Sequence, residues 1–394
     1  MQSLNKKQQL MVLISGVFIE LIIGTVYAYS VVRLYLENEL NLTHTQSSIP
    51  YLTSLAVFAL MVMLSGRFMK KSNFFLWAII GILSIGGGYL LSAFSTNYLV
   101  FTLGYGVMIG SGVGILYGIP IQVIQTVYEN NKGTAVGITI AGFGLSTVIV
   151  APLLQVSFQN LGFQSTLTFF GIVSVILLSL FLWLLLIHVD LSKLYLINKR
   201  EKVRASKSIF SLFFVIFTLG IMFGLSMIGL TVFIGLDYYN LDLSFITLMM
   251  SLFALFNGLS RPLFGFIYDR FKLKYSVIFI SLITLFISSS YVFLNPSSAI
   301  MFVVTIALSW ATVGGWLAMM PTITRDLFGQ NNFNRTYGKM YLSYGVAAII
   351  GNLYTSILID QSISLSIVFI PIMIVSILTI LAMSFLKIKL AKQK

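Results

Sequence analysis

The sequence predicts an all-α membrane protein of twelve transmembrane helices arranged as two six-helix pseudo-repeats. Three observations carry this expectation. The 394 residues are 58% hydrophobic and 9% charged, with a mean hydropathy of +0.97, which is more apolar surface than a soluble domain can bury. The apolar runs are about twenty residues long without strict alternation, which selects helices over a membrane barrel. The halves also echo each other at an offset of about 200 residues: Gly66 answers Gly265, Tyr89 answers Tyr291, Gly114 answers Gly315 and Pro120 answers Pro321.

In chain order the spans fall near 10–32, 49–66, 74–94, 98–121, 134–156, 165–188, 209–235, 245–267, 275–293, 299–323, 337–359 and 365–386. The first follows a polar start and precedes no small-residue cleavage site, so it is expected to be a retained helix. Span 4 carries Gly110, Gly112, Gly114 and Gly118 before Pro120. These read as small residues for close helix contact, and no Lys-Ser/Thr follows to make them a phosphate loop. The long polar stretch 189–208 divides the chain into a bundle at 1–188, a basic linker, and a bundle at 209–394. Two six-helix repeats with a mid-membrane site between them is the design of a carrier. No ring of charges or filter-like loop suggests a channel.

Of the 24 Lys and Arg residues, all but Arg33 and Arg261 fall on one side of this topology. Such asymmetry predicts that both termini and the linker are cytoplasmic, in a cell-membrane protein. The net charge of +13 is therefore an orientation signal. Membrane lipids are the expected contacts, and nucleic acid is not a partner. Cysteine is absent, which excludes disulfides and thiolate metal sites. His44 and His188 lack the neighbours of a metal or catalytic site. No cofactor is expected, and no array of polar groups inside the spans suggests enzyme chemistry.

Arg261 stands inside the apolar run of span 8, immediately before Pro262. An arginine at that depth costs about 3 kcal/mol even on lenient insertion scales, so a compensating group is required: an anionic ligand in a polar cavity or, for a structural arginine, a carboxylate or helix-end carbonyls. Glu20 is the other ionisable side chain deep in a span. It reads either as a proton carrier or partner of Arg261, or as a structural carboxyl.

Gly265-x-x-x-Asp269-Arg270 followed by Lys272, after the second span of a half, resembles the signature loop of the major facilitator superfamily. More narrowly, the chain resembles the oxalate/formate antiporter family of that superfamily. The supporting pieces are Gly24-x-x-Tyr27-x-Tyr29-Ser30-Val31, Lys132-Gly133-x-Ala135-x-Gly137, Gly142-Phe143-Gly144, Asn257-Gly258-x-x-Arg261-Pro262 and Tyr337-Gly338-x-x-Tyr341. The resemblance implies an anion-binding arginine at Arg261, surrounded by aromatics on spans 1, 10 and 11. Tyr27, Trp316, Tyr341 and Tyr344 are the candidates, with Tyr29 and Trp310 nearby. In the family's oxalate exchangers a lysine on span 11 adds a second cation; that position here is Tyr344, so a monoanion is expected. The family pattern does not call for an acid at Glu20.

Gly265, Asp269 and Arg270 form a candidate conformational latch. Asp269 is expected to meet the N-terminus of span 11 near Tyr337, where a carboxylate is favoured by the helix dipole. The first half has Lys70 at the equivalent place, so no symmetrical latch is expected. The expected function is secondary transport of a small organic anion, a monocarboxylate of the formate, lactate or pyruvate type. The mode is alternating access, as antiporter or proton symporter, by a monomer. The alternatives are a proton-coupled efflux carrier for hydrophobic compounds that uses Glu20, and a transport-like nutrient sensor.

Overall fold

The computed structural model describes residues 4–42, 44–128, 132–194, 206–294, 298–329, 333–360 and 364–385, which form twelve long helices. α1 comprises Lys6–Ile23, a 3-10 turn Gly24–Ala28, and Tyr29–Leu40. α2 is His44–Phe68 and α3 is Phe74–Ala93. α4 begins at Tyr98–Phe101, widens into a π segment Thr102–Ile109, and continues as Gly110–Val127. The run Lys132–Leu186 breaks at Gly162 (φ 79°, ψ 175°) into α5 (132–161) and α6 (163–186). α7 is Lys207–Phe233 with a π segment Ile234–Tyr238. Leu243–Ser289 breaks at Lys272 (φ 61°, ψ −174°) into α8 (243–271) and α9 (273–289), which ends in the π segment Ser290–Leu294. α10 is Ala299–Phe328, α11 is Phe333–Asp360 and α12 is Leu365–Phe385.

Two details differ from expectation. α1 runs on to Leu40, well past residue 32, and the one-turn ion pair Arg33–Glu37 (2.8 Å) supports the added length. The loops between α5 and α6 and between α8 and α9 shrink to single left-handed residues. Gly162 takes such a φ without strain, whereas Lys272 has a Cβ and does so against its preference. The predicted linker is described only as far as Leu194 and from Ser206 onward; the tail lysines likewise lie outside the described residues.

α3, α6, α9 and α12 turn large apolar side chains outward, among them Leu83, Ile176, Phe286 and Leu378. This is the surface a bilayer covers. On the inner helices, a Cβ at Gly114 of α4 would meet the Phe58 carbonyl of α2, and one at its counterpart Gly315 of α10 would meet the Phe264 ring of α8. The halves meet along two seams, α2 with α11 and α5 with α8, and α10 also reaches α5. Close-packed small residues mark both. Gly338 sits over the backbone of Met63, Gly345 over Ala59, and Gly137 over the backbone of Arg261 and Pro262.

Candidate functional site

Arg261 lies on the α5–α8 seam and is fully buried. Its Nη1 donates to the backbone carbonyl of Ile140 on α5. Its Nη2 donates to Oδ1 of Asn257, one turn earlier on α8, at 3.1 Å. The Phe143 ring of α5 adds a cation–π contact, with its centroid 5.6 Å from the guanidinium carbon. Nε has no hydrogen-bond partner among the described residues. The cation of one half is thus held partly by groups of the other.

A helical carbonyl is normally shielded by the side chain of a residue one turn further on, because helical side chains lean toward the N-terminus. Four residues after Ile140 stands Gly144. A Cβ there would lie 2.6 Å from Asn257 Oδ1 and 3.0 Å from Arg261 Nε. Four residues after Trp310 on α10 stands Gly314, where a Cβ would overlap the Asn257 carbonyl and the Ser260 hydroxyl. Trp310's carbonyl accepts a hydrogen bond from Asn257 Nδ2 at 2.9 Å. Two glycines therefore bare two helical carbonyls, and the Asn257–Arg261 pair is gripped between them.

Beside the guanidinium is a cage of rings drawn from both halves. Tyr27 of α1 meets Phe143 edge-on at 4.8 Å, and its hydroxyl is 2.8 Å from that of Tyr344 on α11. Tyr341 packs against Phe58 and Tyr117, each 5.2 Å away, and against Tyr344 at 5.3 Å. Tyr337 completes the α11 face, since positions 337, 341 and 344 share one side of a helix. Glu20 of α1 is also fully buried and within electrostatic reach of Arg261. Neither of its carboxyl oxygens has a hydrogen-bond partner among the described residues. Tyr27, Tyr341, Tyr344, Glu20 and Arg261 are thus brought to one place.

Trp316 is not in this cage. It covers Gly220 of α7, meets Phe217 edge-on at 5.5 Å, and lines a separate cavity of about 130 Å³ with Tyr354 and Ile372. Trp310 donates from Nε1 to Thr231 at 3.1 Å, and Tyr29 donates to the Ser47 carbonyl at 2.6 Å, stacked on Tyr51.

Asp269 does meet a helix N-terminus, but it is that of α5 and not of α11. Its Oδ2 accepts from the Thr134 backbone N–H and hydroxyl, both at 3.0 Å. The reason is steric. Gly265 packs on the Gly133 backbone and Gly133 on the Asp269 carboxylate, so α8 runs beside the start of α5, while the start of α11 lies over α2. Tyr268 next to it donates to Asp326 of α10 at 2.9 Å, fixing this end of α8 within its own half. Arg270 is exposed and lies over its neighbour Phe271. Lys70 takes no comparable inter-half bond among the described residues. Phe58, Tyr117 and Phe143 were not foreseen as site residues, although Phe143 stands in the Gly142-Phe143-Gly144 motif. Asn257 was visible only as a motif member.

The family model described as Major Facilitator Superfamily matches residues 13–241 and 212–394. The chain is 26% identical over 268 residues to the oxalate:formate antiporter of Oxalobacter formigenes, which covers 64% of this chain and 60% of that protein. It is 33% identical over 95 residues to monocarboxylate transporter 12 of Xenopus laevis, covering 24% of this chain and 20% of that protein. Among solved structures, a bacterial homologue of the iron transporter ferroportin in an outward-facing state matches with a TM-score of 0.75 at 16% identity, over 96% of this chain and 98% of that one; this likeness concerns the fold alone. The chain therefore belongs to the Major Facilitator Superfamily and is a membrane transporter, not an enzyme.

Proposed function

We propose that the protein carries a small organic anion, a monocarboxylate of the formate, lactate or pyruvate type, by alternating access. The observation that carries this is Arg261, a buried guanidinium at the meeting of the two halves, beside a cage of tyrosines. A planar guanidinium grips a carboxylate with two parallel hydrogen bonds. The paired hydroxyls of Tyr27 and Tyr344 can donate to the anion's exposed oxygen. Tyr344 stands where a second cation would serve a dianion. With Arg261 alone to balance charge, a dianion would retain one desolvated charge at a cost of several kcal/mol.

Glu20 favours coupling to protons. An acid with no hydrogen-bond partner among the described residues, within reach of Arg261, opposes anion entry when ionised and permits it when protonated. The bundles 1–188 and 209–394 rock about the two seams, joined by the linker 189–208. Asp269 latches the α5–α8 seam on the face where α1 begins. The basic residues make that face cytoplasmic in the cell membrane, and a monomer contains the whole pathway. The names of two relatives, an oxalate:formate antiporter and a monocarboxylate transporter, agree with the substrate class.

The test is counterflow in liposomes carrying purified protein, with labelled formate, lactate and pyruvate and a cationic dye as comparator. Saturable carboxylate exchange is expected. Movement of the dye without carboxylate exchange would replace the proposal with hydrophobic efflux, and absence of flux with a sensor.

A further inference from the structure

We propose that Asn257 is the positioning residue of the anion site, and that its neutrality keeps Arg261 available to the substrate. The inference rests on Arg261 binding the anion. Asn257 is almost completely buried, and both ends of its amide are committed. Nδ2 donates to the Trp310 carbonyl, which fixes the amide's orientation, and Oδ1 accepts from Arg261 Nη2. The residue therefore aims the guanidinium without neutralising it.

A carboxylate here would do the opposite. It would form a charge-assisted pair with the same Nη2, roughly twice as strong as a bond to a neutral acceptor. It would also present an anion to the Trp310 carbonyl, where a donor is required. A substrate carboxylate would then compete with a tethered one. Protonation would reverse both effects, because a neutral carboxylic acid donates to the Trp310 carbonyl as Nδ2 does and releases Arg261. Binding in an Asn257→Asp variant must therefore take up a proton at position 257.

Among the described residues, the groups facing this pair are few. α5 contributes Gly144, Phe143 and the Ile140 carbonyl, and α10 contributes Trp310 and Gly314. α1 contributes Tyr27 and the acid Glu20, while α4 and α11 contribute Tyr117, Tyr337, Tyr341 and Tyr344. Phenols ordinarily titrate near pH 10, so Glu20 is the acid to separate. It is present in native and variant alike, and the difference between their pH profiles belongs to position 257.

The experiment measures binding of labelled lactate, pyruvate or formate, whichever the native protein exchanges fastest, to purified native, Asn257→Asp and Asn257→Ala proteins from pH 7.5 to pH 5. Asn257→Asp is nearly isosteric, and its fold is checked by monodispersity and thermal unfolding. Its Kd is expected to lie about tenfold or more above native at pH 7.5, a difference of about 1.4 kcal/mol, and to fall toward native on acidification. Asn257→Ala is expected to weaken binding without any added pH dependence. A native-like Kd for Asn257→Asp at pH 7.5, or a raised Kd that does not move with pH, would overturn the proposal. Arg261→Gln is run alongside. Binding by that variant would instead remove Arg261 as the anion site, so the two failures are distinct.

Discussion

The two sides of the cage handle a buried charge in opposite ways. On α8, Arg261 is satisfied by a bared helical carbonyl, an oriented amide and an aromatic face. On α1, Glu20 is equally buried, yet its carboxyl oxygens have no hydrogen-bond partner among the described residues. A charge held in place by fixed dipoles suits recognition, because its donors are already aimed and reorganise little on binding. An acid whose carboxyl oxygens have no hydrogen-bond partner among the described residues suits switching, because no fixed hydrogen bond must break when its proton is exchanged. On the proposed reading the C-terminal half selects the anion and the N-terminal half senses the proton.

The most sweeping way to break this contrast is Glu20→Gln. Accumulation driven by a pH gradient should disappear while counterflow persists, because exchange need not release the proton. If both activities survive unchanged, Glu20 is structural and the contrast dissolves. Tyr344→Lys sharpens the other side. A second cation should admit oxalate or malonate, so that unlabelled oxalate competes about tenfold better with labelled monocarboxylate uptake than it does in the native protein, worth about 1.4 kcal/mol. Strong oxalate competition against the native protein would show that counting charges misjudges the cage. The smallest effect belongs to the latch. Asp269→Ala removes two hydrogen bonds at the start of α5, a loss of about 1 kcal/mol on the scale of helix capping. It should shift the population of the closed seam severalfold, read as increased labelling of a cysteine introduced at Ala135, buried at the start of α5; unchanged labelling would leave Asp269 as an ordinary cap.

Sequence patterns singled out Arg261 because a charge within an apolar run needs a compensating group, but not which one: a ligand anion, a carboxylate or backbone carbonyls. Tyr341 and Tyr344 were marked by the family resemblance, and Tyr337 by its place in the motif Tyr337-Gly338-x-x-Tyr341; helical spacing then puts all three on one side of α11. Trp316 could not be oriented in this way. From Thr305 to Thr324 nearly every residue of α10 is buried, so the helix has no polar face from which periodicity could point. The partner of Asp269 was missed because it lies 135 residues away in sequence and is set by glycine contacts between halves. The grip on Arg261 was least legible of all. Its acceptors at Ile140 and Trp310 are backbone carbonyls, which every residue possesses. Only the absent side chains of Gly144 and Gly314 hinted at them.

The central claim is that Arg261 recognises the carboxylate, and the direct measurement is equilibrium binding of labelled monocarboxylate to purified native, Arg261→Lys and Arg261→Gln proteins, each shown to be monodisperse. Lysine supplies a point charge in place of a planar fork, so Arg261→Lys should bind about tenfold or more weakly. Arg261→Gln should show no saturable binding. A well-folded Arg261→Gln protein that binds the anion with native affinity would contradict the account.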